Sequence, residues 1–133
     1  MKLTTFTDGG ARGNPGPAAA GIVIKNDRGQ TLAAYGEYLG RQTNNFAEYS
    51  ALLSALTKAK ELGATEVDCV LDSELVVKQM NGKYKVKEPT LQKLFIKVYN
   101  AAAGFKHVTY RHTLRHNNKE ADAEVNKILD AQN

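Results

Sequence analysis

Four carboxylates in this sequence stand where one element gives way to the next: Asp8, Glu48, Asp72 and Asp122. Asp8 follows the apolar, β-branched run Leu3 to Thr7 and precedes Gly9-Gly10-Ala11-Arg12-Gly13-Asn14-Pro15-Gly16-Pro17. The spacing predicts a strand that ends at Asp8, followed by a turn with accessible backbone N–H groups. Taken singly, each acid has an ordinary structural account. Asp8-Gly9 is a hairpin signal, Glu48 lies three residues after Asn45 at capping-box spacing, Asp72-Ser73 suits a helix cap, and Asp122 suits a first helical turn. Taken together, converging carboxylates repel and need cations. Hard oxygen donors without an accompanying His/Cys set point to Mg²⁺ or Mn²⁺ rather than zinc.

The elements that would position these acids can be read along the chain. Ala20 to Lys25 and Thr31 to Leu39 read as second and third strands around the Asn26-Asp27-Arg28-Gly29 turn. Asn44-Asn45 opens a helix in which Ala47, Ala51, Leu52, Ala55, Leu56, Ala59 and Leu62 recur at helical spacing until Gly63. Val67 to Leu71 is a continuous apolar strand, and Ser73 to Met80 a short helix broken by Asn81-Gly82. Glu88-Pro89 starts a helix with Leu91, Leu94, Phe95 and Val98 on one face, and Phe105 to Leu114 reads as the last strand. Asn117-Asn118 caps a final helix whose buried stripe is Ala121, Val125, Ile128 and Leu129. The order βββαβα(α)βα implies an α/β fold, with three antiparallel strands extended by parallel strands through right-handed crossovers. In such a sheet, ligands sit beyond the carboxyl ends of the strands, which would make Asp8 and Asp72 neighbours.

At 133 residues the expectation is one domain, residues 1–133, able to bury a core without disulfides. The single cysteine, Cys69, reads as a buried small hydrophobe. No apolar run approaches the roughly 18 residues of a membrane span, and no charged start and apolar core of a signal peptide opens the chain. A cytoplasmic monomer is expected. The net charge of +4 suits a polyanionic partner, and the distribution sharpens the point. Lysines 78, 83, 85, 87, 93 and 97 face one acid, Glu88, with Tyr84 among them.

The segments TDGGARGNPGP, TNNFAEY, LDSELVV and NNKEADAEVN, in this order and spacing, resemble type 1 ribonuclease H, and the similarity runs from about residue 2 to residue 130. The resemblance implies the ribonuclease H fold, a five-stranded mixed sheet in order 3-2-1-4-5 flanked by helices. It also implies a metal-dependent endoribonuclease that hydrolyses the RNA strand of RNA–DNA hybrids to 5′-phosphate and 3′-hydroxyl ends. Carried over, Asp8, Glu48, Asp72 and Asp122 become the catalytic metal ligands for two Mg²⁺ ions, with Mn²⁺ as substitute, about 4 Å apart around the scissile phosphate. Glu48 would also accept from a ribose 2′-OH.

By the same similarity, Gly10, Ala11, Arg12, Gly13, Asn14, Asn44 and Asn45 would contact the hybrid, and Thr43 would line a DNA-phosphate pocket. His116 is the candidate for a mobile group assisting product release or protonation, with Arg115 contacting phosphate or pinning its loop. Lys83, Tyr84, Lys85 and Lys87 would grip the hybrid, although this basic segment is shorter than in some family members and the chain has no tryptophan. The fold is shared with other nucleases, and a non-cleaving nucleic-acid binder is the second alternative. Such a binder would typically have lost one of the four acids.

Overall fold

A computed structural model describes residues 1–132. The strands are β1 (Lys2–Ala11), β2 (Gly16–Lys25), β3 (Thr31–Gln42), β4 (Glu66–Leu71) and β5 (His107–His112). The helices are α1 (Asn44–Glu61), α2 (Glu74–Met80), α3 (Pro89–Ala102) and α4 (Lys119–Asp130), with a 3-10 turn at Arg115–Asn117. The sheet order is β3-β2-β1-β4-β5, antiparallel from β3 to β1 and parallel from β1 to β5. The expected mixed sheet and its strand order are therefore both found.

The three-strand antiparallel part is longer than its apolar runs. β1 does not stop at Asp8: Gly9, Gly10 and Ala11 still pair with Ala20, Ala19 and Ala18. What ends near Asp8 is the parallel pairing, whose last partners are Thr7 and Leu71. Asp8 is thus held on one side by β2 and released on the other, where β4 turns away into α2. Backbone pairing overrides weak strand propensity here, because a ladder needs peptide groups rather than apolar side chains. It likewise carries β2 back to Gly16 and β3 on to Gln42.

Both faces of the sheet are covered at its centre, which explains why β2 lacks alternation and every residue from Ala18 to Ile24 is buried. One face packs against α1 and α3 through Leu3, Ile22, Ile24, Leu52, Leu56, Val67, Leu71, Leu91, Leu94 and Val98. Full burial of such side chains contributes about 1.5–3 kcal/mol each. The opposite face takes α4, whose Val125, Leu129 and Ile128 meet Ala19.

Glycine lets both helices sit close to the sheet. A Cβ on Gly9 would lie 2.2 Å from the Ala47 carbonyl carbon, and one on Gly21 would lie 2.2 Å from the Ala121 carbonyl oxygen. α1 and α4 consequently approach β1 and β2 at main-chain distance from opposite faces. Among the described residues no helix is long and apolar enough to cross a membrane.

Candidate active site

Glu48 shows how local sequence builds the site. α1 is capped by Thr43, whose Oγ1 accepts from the Phe46 N–H at 3.2 Å, and not by Asn45. The capping-box account of Glu48 therefore fails. Its side chain turns instead to β1, where Oε1 accepts from the Gly9 N–H at 3.0 Å. That reach depends on the close approach at Gly9.

Asp8 from β1, Glu48 from α1 and Asp72 from the end of β4 offer carboxylate oxygens that all lie within 4.8 Å of one another. Asp8 and Glu48 are only 5% and 7% exposed, so the concentration of charge is poorly screened. Burial, then the charges of Asp72 and Asp122, push the Asp8 carboxyl up to about 7. Burial and the charges of Asp8 and Asp72 raise Glu48 well above the usual carboxylate range. Asp72 is raised mainly by burial, against the opposing influence of Asn118 and Arg115. Desolvation with like charge is an expensive arrangement unless a cation neutralises it.

Asp122, in the first turn of α4, lines the same cleft but lies outside the tight trio. Its Oδ1 stands 3.6 Å from Arg115 Nη2, and its Oδ2 accepts from Asn126 Nδ2 at 3.3 Å. The cleft encloses about 520 Å³ and is lined by Asp8 to Arg12, Asn44, Asn45, Glu48, Asp72, Ser73, Arg115 and Asp122.

The glycine-rich turn is stapled to the start of α1. Asn44 Oδ1 accepts from the Ala11 N–H at 2.8 Å, while Asn14 Oδ1 accepts from the Asn44 N–H at 3.0 Å. Asn14 and Asn44 thus brace the rim, and Gly13, with φ +90°, lies in the turn between β1 and β2. Arg12 extends to Asp130 in an exposed ion pair at 2.5 Å.

His116 is not brought to the carboxylates. It lines a separate hollow with Phe6, Lys25, Asn117, Asn118, Lys119 and Glu120. Successive side chains of a 3-10 turn point about 120° apart, so Arg115 faces the cleft and His116 does not. Lys83, Tyr84, Lys85 and Lys87 are exposed beyond α2, outside the cleft lining. Tyr84 is met by Lys78, whose Nζ lies 5.1 Å from the ring centroid.

Sequence reasoning assigned no site role to two residues at the cleft, Ser73 and Asn126, nor to Asn118 in the adjoining hollow. Asn126 was accessible to reasoning, since it stands four residues after Asp122 on one helical face. Asn118 read as a cap, yet α4 has no side-chain cap bond, and the Asn118 Nδ2 donates instead to the Thr7 carbonyl at 2.8 Å.

The donors present suit a hard divalent cation. Three carboxylates converge, and Glu48 Oε2 is buried without a hydrogen-bond partner among the described residues. An acceptor of this kind is completed by a cation or a proton.

Comparison with known proteins gives a consistent picture. The family described as reverse transcriptase-like matches residues 6–128. The bifunctional protein Rv2228c of Mycobacterium tuberculosis is 44% identical over 132 residues, covering 98% of this chain and 36% of that protein. This chain therefore spans about a third of the length of the mycobacterial relatives it matches. The crystal structure of RNase H1 from the halophilic archaeon Halobacterium salinarum superposes with a TM-score of 0.96 at 37% identity, over 98% of this chain and 99% of that one. LC11-RNase H1, solved in complex with an RNA/DNA hybrid, superposes with a TM-score of 0.93 at 43% identity, over 98% and 99%. Sequence and backbone agree over nearly the whole length, and the chain belongs to the type 1 ribonuclease H family.

Proposed function

We propose that this chain hydrolyses the RNA strand of RNA–DNA hybrids, with divalent cations held by Asp8, Glu48, Asp72 and Asp122. The observation that carries the reading is the buried, mutually repelling trio Asp8, Glu48 and Asp72, with Glu48 Oε2 unpartnered. LC11-RNase H1, similar over nearly its whole length, was solved with an RNA/DNA hybrid. Bound Mg²⁺ or Mn²⁺, two ions with substrate in place, would supply an activated water and stabilise the leaving 3′ oxygen.

The chain's own residues supply placement. Asp8, on a strand anchored by β2, is the natural shared ligand because Glu48 and Asp72 both reach it. The Gly9 N–H fixes the Glu48 carboxylate through Oε1 and leaves Oε2 without a hydrogen-bond partner among the described residues. The backbone from Gly10 to Gly13, with Asn45 at the rim, offers hydrogen-bonding groups to ribose 2′-hydroxyls, which distinguish RNA from DNA. Arg115, 81% exposed beside Asp122, is free to meet a phosphate.

The test is cleavage of matched RNA–DNA, RNA–RNA and DNA–DNA duplexes with and without Mg²⁺ or Mn²⁺. Metal-dependent cutting of RNA in the hybrid, giving 5′-phosphate and 3′-hydroxyl ends and sparing duplex DNA, is expected. Equal cleavage of hybrid and duplex DNA, or 2′,3′-cyclic ends, would sink the proposal.

A further inference from the structure

At the fork where β1 and β4 part, the Thr7 carbonyl lies past the last parallel pair, Thr7 with Leu71. β4 turns into Asp72-Ser73 at this point, and the parallel ladder ends. Asn118 supplies a side-chain donor to this carbonyl from 111 residues away: its Nδ2 meets Thr7 O at 2.8 Å, and the residue is only 2% exposed. The bond replaces an expected one. An asparagine at an N-cap ordinarily accepts from the first turn, a contribution of about 1 kcal/mol, yet Asn118 Oδ1 has no partner among the described residues and α4 has no side-chain cap.

The tie is short on its other side too. The Asp122 N–H donates to the Asn118 carbonyl at 3.1 Å, closing one helical turn. From Thr7 to Asp122 the path is therefore two hydrogen bonds through one buried residue, whereas the rest of α4 meets the sheet by apolar contacts and by the pair of exposed Glu120 with Lys25 of β2 at 2.6 Å. We propose that Asn118 is a positioning residue: its amide, bonded to the Thr7 carbonyl where β1 and β4 part, locks α4 to the Asp8 strand and sets Asp122 at the distance the carboxylate cluster needs to bind divalent cations. This rests on the reading that the cluster holds such cations. Asn118 acts on metal affinity chiefly through Asp122, with a smaller influence on neighbouring Asp72, and leaves the grip on the nucleic acid unaltered.

Asn118→Leu removes the donor while filling the buried space, and Asn118→Ala is the smaller control. Mn²⁺ binding to the chelator-treated proteins is measured by calorimetry and by the shift in denaturation midpoint, and KM for the hybrid at saturating metal is measured alongside. Both variants should bind Mn²⁺ about tenfold or more weakly, as expected when a metal ligand is deprived of its support, with KM little changed. In an Asp122→Ala background the same substitutions should weaken Mn²⁺ binding by clearly less. Wild-type Mn²⁺ affinity in Asn118→Leu, or an undiminished loss in the Asp122→Ala background, overturns the positioning role. Failure of the wild-type protein itself to bind Mn²⁺ would instead overturn the metal reading beneath it.

Discussion

The Gly9 N–H and Glu48 Oε1 lie 3.0 Å apart across the interface of β1 and α1, and this one bond orients a carboxylate that has little else to hold it. The second oxygen, buried and unpartnered among the described residues, is left to whatever enters the cluster. Neighbouring Asp8 and Asp72 guarantee that, without a cation, this corner of the protein works against folding.

Metal-free protein should therefore lose stability as pH rises. The folded Asp8 carboxyl is pushed from 3.8 to about 7, so between these values the folded state binds more protons than the unfolded chain. Unfolding free energy then falls across that window and levels off above it, with a slope no steeper than about 1.4 kcal/mol per pH unit per group. Asp8→Asn should flatten this profile, leave stability in chelator at pH 7 unchanged or higher, and reduce cleavage by about 100-fold or more, because bound metal supplies several kcal/mol of catalysis. Urea denaturation at several pH values, with chelator or Mg²⁺, reads the first two effects. A destabilised but active Asp8→Asn variant would remove Asp8 from the site.

Two adjacent glycines should respond in opposite ways to alanine. In Gly9→Ala the new methyl would collide with the Ala47–Glu48 backbone, whereas in Gly10→Ala its nearest neighbour is Val125 Cγ1 at 3.8 Å. The first should cost about 1–3 kcal/mol by overpacking and displace Glu48, with loss of cleavage. The second should leave stability unchanged or raise it by up to about 1 kcal/mol, and any effect on KM then reports the approach of backbone to substrate. Denaturation curves beside steady-state kinetics distinguish them, and a stable, active Gly9→Ala would refute the close-packing account.

The lysine segment makes a third test. Lys83, Lys85 and Lys87 are exposed and make no ion pair among the described residues. Replacing all three with alanine should weaken hybrid binding and flatten its log–log salt dependence by roughly one unit for each phosphate no longer neutralised, with turnover at saturating substrate retained. An unchanged salt slope would make them an ordinary solvated surface.

What was legible in the sequence was whatever depends on periodicity or on punctuation. The α1 stripe from Ala47 to Ala59 is buried as its spacing implies, Gly63 follows the helix with φ +90°, and Ser73 and Glu88 cap α2 and α3 as their positions suggest. The four acids lie around one cleft, a convergence that only the order of elements foreshadowed. Less legible was whatever depends on which of several competing partners a polar side chain selects. Thr43, Asn44 and Asn45 all suit a helix start, and only the fold decides that Thr43 caps while Asn44 turns to Ala11. His116 and Arg115 are adjacent in sequence and part ways because of a single 3-10 turn.

The glycines beneath α1 and α4 carry a longer consequence. Because Gly9 meets Ala47, and Gly21 meets Ala121, main chain against main chain, the spacing of the layers at the carboxylate end is set by the dimensions of the peptide group for as long as these two glycines are kept. Leucines and valines deeper in the core are then free to drift in size over evolutionary time without carrying Glu48 or Asp122 along with them. Chains that share 37% and 43% of their residues with this one superpose on it almost completely, as expected of an architecture whose carboxylate geometry is insulated from the divergence of its own interior.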